Sequence, residues 1–473
     1  MLLTVVSVSA GFGATPTETM SQTVEALCPQ LKAANAANPA SLTAAEKDVL
    51  ARCGELKLAP GQSYSNLTAT QLAGLDNMAS DESSVMGAAT VEVSGAQNIA
   101  VLGRLSVLRN KSVSTAAADR SPDSGTGPDR ERPNTSAALN SGKLNLGAAE
   151  EQGGGYPIEG TGGYYGQFSQ MSDYGKWGVF VNGSYGTGSK DVTSREPGFD
   201  FDSWSLVSGL DYRLSDQFIM GFALSYAVTD SSIDNNGGDV DLDGVGGSVY
   251  GTYYFGRFYL DFLAGLAVKE YDTQRNVGYS VAATSGGTTV VNQIFNGSTD
   301  ADDVSLALGT GYNLALGGFS LTPFANLAYL ESNIDGYTES LQGSNANPGF
   351  GLALAVDDQE VKSFAATLGV QFARAINTSR GVLTPYVRAD WEHEFENDAR
   401  NITARFAEVG SSYAATNTNI IPTDAPDRDF MNFGAGLSAV LPGGLQCFFD
   451  YSTVFGFEDI TVHRFVAGLR LEF

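Results

Sequence analysis

Two histidines, three cysteines and one run of alternating aspartates are the residues whose types could carry chemistry in this chain. The histidines are His393 and His463. An acyl-transfer triad needs a histidine beside a nucleophile and an acid. His393 follows Glu392, but no G-x-S-x-G elbow presents a serine to it. Two histidines and scattered cysteines also lack the spacing of a zinc site. The expectation is therefore no catalysis, no metal and no cofactor. The motif DVDLDG places Asp239, Asp241 and Asp243 before Gly244, like the start of a calcium loop. That loop needs a glutamate at its twelfth position, where Tyr250 stands. The motif is expected to be a solvated acidic loop with at most loose divalent binding. Cys28 and Cys53 lie in one short segment and are disulfide candidates if the chain is exported, with two buried thiols as the alternative. A bridge closing a loop of this size would stabilise the segment by roughly 3 kcal/mol. Cys447 reads as a small apolar filler among aromatics.

The elements that must position these residues divide the chain into parts. Its 473 residues carry a net charge of −26, which argues against nucleic acid as a partner because phosphates would be repelled. No apolar run reaches the roughly 18 residues of a membrane helix. Residues 1–14 are apolar and end in small residues, like the remnant of a secretory signal without its basic start. Residues 15–110 read as a small helical segment. Thr43 and Glu46 have capping-box spacing. Val24, Leu27 and Leu31 form one apolar stripe, and Leu67, Gln71, Leu75 and Met78 a broken second one. Ile99, Leu102, Leu105 and Leu108 recur at helical spacing over 97–109. Residues 111–175 are rich in Ser, Gly, Ala, Asp and Pro and read as a flexible linker, too poor in apolar area to offset chain entropy.

From 176 to 473 the period becomes two. Val304, Leu306, Leu308, Tyr312, Leu314 and Leu316 alternate with Ser305, Ala307, Gly309, Gly311, Asn313 and Ala315. Successive side chains of a strand point oppositely, so one face is apolar and the other small and polar. The runs exceed the usual length of soluble strands and match tilted membrane-spanning ones. Twelve are expected, near 176–187, 201–214, 217–229, 244–255, 257–270, 303–316, 318–331, 359–376, 381–396, 427–441, 443–455 and 459–473. Tight turns such as LSDQ, FGR and LPGG alternate with longer polar stretches, including 271–303, 331–358 and 396–427. Short turns on one side and long loops on the other are the habit of an outer-membrane barrel. The fold class expected is an all-β transmembrane barrel of about 12 antiparallel strands, preceded by the helical segment and linker.

Charges on such strands must avoid lipid. Arg388, Asp390, Glu392 and Glu394 share one face of their strand, opposite Leu383, Val387 and Trp391. A basic residue on the lipid face at mid-depth would cost roughly 2–4 kcal/mol. These four are expected in the lumen, with Arg388 pairing with the acids. Asp261, Lys269 and Arg470 fall on lumen faces by the same parity. They would either solvate and pack the lumen or contact a segment passing through it.

Four stretches resemble autotransporter barrels, in that family's order. WGVFVNGSYGTG and FDFDSWSLVSGLDYRLSDQFIMGFALSYAVTD resemble its opening strands. LTPYVRADWEHEF resembles a late strand, and DYSTVFGFEDITVHRFVAGLRLEF the final hairpin. The resemblance covers about 170–473. It implies a translocator in a Gram-negative outer membrane that exports and displays its own N-terminal passenger. It also implies Phe473 as the terminal aromatic read by the barrel assembly machinery. The partners it implies are periplasmic chaperones, outer-membrane lipids and lipopolysaccharide. NIAVLGRLSVLRN resembles the helix that precedes many such barrels and threads the pore. Here some 65 residues, 111–175, follow it before the first strand, more than a compact arrangement needs. The N-terminal part is also too short for the long β-helical passenger common in the family, and no asparagine-pair cleavage site stands before the first strand. The alternative is a structural or pore-forming barrel whose N-terminal segment stays periplasmic or plugs the lumen.

Overall fold

A computed structural model describes residues 14–56, 64–79, 82–91 and 175–473, apart from 397, 426 and 458. The expected leader before Ala14, the helix at 97–109 and the linker up to 174 lie outside the described residues. Among the described residues no helix is long and apolar enough to cross a membrane.

Three short helices begin the described chain. α1 spans Pro16–Ala37, α2 Ala44–Leu56 and α3 Ala69–Asp76. Each has a reciprocal cap at its start: Thr15 with Glu18, Thr43 with Glu46, and Thr68 with Gln71. The caps satisfy amide groups that have no partner within the first turn. Val24, Leu27 and Leu31 turn inward on α1, and Cys28 and Cys53 form a disulfide between α1 and α2. Residues 82–91 form one further helix.

Twelve antiparallel strands then close into a barrel. They are β1 (Trp177–Lys190), β2 (Phe199–Arg213), β3 (Phe218–Ile233), β4 (Gly238–Phe255), β5 (Phe258–Ala282), β6 (Thr288–Tyr312), β7 (Phe319–Ile334), β8 (Gln359–Arg374), β9 (Gly381–Glu394), β10 (Asp429–Val440), β11 (Leu445–Phe455) and β12 (Ile460–Glu472). Each pairs with the next. β12 returns to β1, from Gly178 opposite Glu472 to Lys190 opposite Ile460. Closure leaves the barrel wall no unpaired edge, which backbone in lipid requires. Leu206, Leu308, Leu368 and Leu469 stand exposed on the outer wall. Phe180, Val207, Tyr250, Tyr259 and Leu263 pack inside. In the short turn between β10 and β11, Gly443 and Gly444 both take positive φ, a conformation that costs glycine little.

Two expected loops are strands instead. β5 and β6 do not stop near 270 and start again near 303. They run on as a hairpin through 282 and 288. β4 likewise begins at Gly238, so Asp239, Asp241 and Asp243 lie in a strand and not in a loop. The alternation simply continues past the membrane. The long connections at 335–358 and 395–428 also gain order. Tyr337–Thr338, Leu354–Val356, Asn401–Phe406 and Asn419–Pro422 form a small four-stranded sheet over the same end of the barrel.

Candidate functional site at the outer mouth

The end of the barrel that carries the long connections is not open. α1 to α3 lie on the inner face of the β5–β6 extension and on the connections beside it. Met20, Leu27, Leu31, Leu56, Leu75 and Met78 share one core with Val277, Tyr279, Val281, Val291, Phe295, Leu352 and Phe406. Polar contacts fix the fit. The Asp48 carboxylate accepts from the amides of Gly349 and Gly351 at 3.1 and 3.0 Å. Glu46 accepts from the Gly410 amide at 3.1 Å, and Glu55 from the Thr289 hydroxyl at 2.6 Å. A Cβ at Gly351 would collide with the carbonyl of Ala45, so backbone meets backbone there.

Residues 82–91 go deeper. Val85, Met86 and Ala89 pack against Phe199, Phe201, Ile233, Val240, Leu242 and Ile334, the inward residues of the outer half of the wall. Three cations surround this helix. Arg275 is held by Glu339 through two hydrogen bonds, of 2.8 and 2.5 Å. It also donates to the carbonyls of Leu352 and Asn77, at 3.0 and 3.3 Å, and stands 3.6 Å from Glu82. Burial lowers the pKa of the Arg275 guanidinium, but Glu339 and then Glu82 outweigh it, and the net direction is up. Lys269 pairs with Asp303 at 2.6 Å and donates to the Thr90 carbonyl at 3.3 Å. Arg400 lies against Gly87, where a Cβ would collide with its guanidinium. Burial lowers the pKa of Arg400. Ser83 and Thr90 are hydrogen-bonded to the phenols of Tyr337 and Tyr271.

The residues expected in the lumen are distributed along it. Asp261, Lys269, Asp390, Glu394 and Arg470 are buried on the inner wall. Arg470 pairs with Asp211 at 2.6 Å and with Glu472, near the short-turn end. Arg388 departs from the expected pairing: it meets Asp450, across the sheet on β11, at 3.1 Å. Asp390 and Glu392 accept from Asn432 instead, both at 2.9 Å. Arg388 reaches Asp450 by lying across the intervening β10, where Gly434 has no side chain to block it. Of the expected set, Lys269 reaches the helix at 82–91. Arg275, Glu339, Arg400 and Glu82 were not singled out, because the first three lie in stretches read as loops.

Outside, just beyond the apolar band, Asp202, Asp230, Asp241 and Asp272 are direct neighbours across β2 to β5. Tyr185 and Tyr226 donate upward to Asp202 and Asp243, at 2.6 Å each. His393 is bonded to Asp429 at 2.8 Å and His463 to Tyr451 at 2.9 Å. Cys447 lies between Gln446 and Phe448 and is half-buried. Phe473 is exposed and its backbone pairs with Trp177, next to the closing seam.

A closed twelve-stranded wall with an apolar exterior, an interfacial tyrosine rim and a polar lumen defines a β-barrel of the bacterial outer membrane. The family model described as the autotransporter beta-domain matches residues 179–452, and the chain belongs to that family, whose members serve type V secretion. Outer membrane protein A of Rickettsia conorii is 26% identical over 265 residues, which is 55% of this chain and 12% of that protein. An extracellular serine protease of Serratia marcescens is 26% identical over 254 residues, 54% of this chain and 22% of that protein. The chain thus matches only a small part of the length of these relatives. Among solved structures, the translocator domain of the autotransporter NalP from Neisseria meningitidis aligns with a TM-score of 0.47 at 14% identity, over 65% of this chain and 92% of that one.

Proposed function

We propose that the barrel is the translocator of its own N-terminal segment, and that this segment stays at the cell surface as an attached, uncleaved unit. The observation that carries this reading is the direction of the helix at 82–91. Glu82 is beside Arg275, and Thr90, eight residues further on, is beside Lys269, which lies nearer the membrane on β5. The chain therefore descends into the mouth from outside, with α1 to α3 beyond it. β1 begins at the opposite, short-turn end, beside Phe473. The placement of α1 to α3 at one mouth and of the start of β1 at the other supports passage of the N-terminal part through the barrel. The Cys28–Cys53 bridge suits an oxidising compartment. In this reading the chain has no catalytic role, no cofactor and no nucleic-acid partner. Its partners would be lipid and lipopolysaccharide, with periplasmic chaperones and the barrel assembly machinery acting on a terminal strand that ends in Phe473.

A second reading is favoured by the filled outer lumen: a structural barrel whose N-terminal segment is a plug. Protease shaving of intact cells bearing an epitope near Thr15, with a periplasmic marker as control, separates the two. Loss of the epitope with the marker intact supports export. Survival of the epitope until the outer membrane is opened overturns it.

A further inference from the structure

The inner wall of β5 presents two cations toward one helix, and each meets a different residue of it. Glu82 stands 3.6 Å from Arg275. The carbonyl of Thr90, eight residues further along the described helical stretch, accepts from Lys269. The spacing also fits. Arg275 is six residue steps along the strand from Lys269, about 20 Å at the usual rise. Ten residues of helix span about 15 Å, and the two long side chains close the difference. Both cations are buried and also paired with acids outside the helix, Asp303 on β6 and Glu339 in the connection after β7. Arg275 in addition holds the carbonyl of Asn77, just past α3, so the same guanidinium grips the chain on both sides of residues 80–81.

We infer that Lys269 and Arg275 are positioning residues that stop the outgoing chain at one register, retaining residues 82–91 in the mouth as its stopper. This deepens the export reading and rests on it. An exported chain with no such reader would slide until some other segment jammed, and α1 to α3 would have no set distance from their docking face. With Glu82 and Thr90 both held, α1 to α3 come to lie at the height of the β5–β6 extension, where their apolar face is received. Gly87 completes the fit by leaving room for Arg400.

The test uses the full chain in the outer membrane of a bacterial host, with Ser84→Cys as reporter. Ser84 is 6% exposed, so a membrane-impermeant maleimide added to intact cells should label the parent slowly. Cys447 is replaced by serine in all variants, which leaves no other free thiol. Glu82→Gln and Arg275→Met are each expected to raise the labelling rate at least tenfold, while an epitope near Thr15 stays protease-accessible. Glu82→Gln alters no residue of the barrel wall, so it remains informative if Arg275→Met fails to assemble. Unchanged labelling in Glu82→Gln, with the epitope outside, overturns the stopper and leaves export standing. An epitope that is never accessible in the parent overturns export itself.

Discussion

Within the single hairpin β5–β6, the membrane-spanning half and the outer half show opposite faces to their surroundings. From 258 to 269 the outward residues are Phe258, Leu260, Phe262, Leu266 and Val268, while Tyr259, Asp261, Leu263 and Lys269 point in. From 270 to 281 the outward residues are Glu270, Asp272, Gln274 and Ser280, and Val277, Tyr279 and Val281 join Thr273 and Arg275 on the inner face. β6 does the same in reverse order, with Phe295 and Val291 inward and Leu306 and Leu308 outward. The strand never changes phase. What changes is the solvent: lipid outside the wall below, water outside it above. Where water replaces lipid, the apolar face turns to the only apolar partner available, the helices of the same chain. Apolar residues on a barrel strand thus report the local solvent, and the crossing point near residues 269 and 270 marks the membrane border.

Breaking one half should leave the other standing. The largest effect is expected for Phe295→Ala, which empties a fully buried site between β6 and the helices at a cost of about 3–5 kcal/mol. Residues 14–79 should be digested far faster, with the heat-modifiable barrel unchanged; equal protection would show that the helices do not depend on this core. Replacing Cys28 and Cys53 together by serine should cost the helical unit roughly 3 kcal/mol. Hydrogen exchange should rise in α1 and α2 and stay constant in β1 to β4, whereas a uniform rise would deny the two halves separate stability. Leu308→Arg, on the lipid side of the same β6, should cost about 2–4 kcal/mol and act in the opposite place. It should lower the yield of barrel refolded into bilayers, and normal insertion would place the membrane border elsewhere.

The smallest effect sharpens the border. Burial first, then Asp230, Asp239 and Asp272, raise the pKa of Asp241. A carboxyl whose folded pKa lies above its unfolded one binds its proton more tightly when folded, so stability falls as pH rises through that window and is level above it. Asp241→Asn should remove this slope and stabilise the hairpin by about 0.2–1 kcal/mol at neutral pH, since like charges directly opposite on neighbouring strands repel. A melt that shows no difference between pH 4 and pH 7 in the parent would count against it.

How far the site was legible follows from where the patterns were sought. Parity put Lys269 and Asp261 on the inner face, because strand alternation is local. The Thr43–Glu46 cap is legible for the same reason, and Thr15 and Glu18 carry the same spacing. Arg275 and Glu339 were lost with the stretches taken as loops. Val277, Tyr279 and Val281 carry the same period of two, but the apolar residues have moved to the other parity, and a search for a lipid-facing stripe ends where that stripe ends. The partner of Arg388 is not legible in its own strand, since the register of β9 and of β11 against the intervening β10 is invisible to a pattern read along one strand.

The amino-acid sequence alone determined the properties that depend on near neighbours: twelve alternating strands, their turns, the helix caps and the side of the wall on which each charge stands. These follow from backbone geometry and from the cost of charge in lipid, which act residue by residue. Only the tertiary structure decided what the outer half of β5 and β6 is for. That Phe295 meets α1 to α3, that Glu82 meets Arg275, and that the mouth is filled by residues 82–91 are matters of segments some 200 residues apart being brought together. Burial of apolar area drives that meeting but is non-directional, and closing of the barrel is what sets which faces are there to be met.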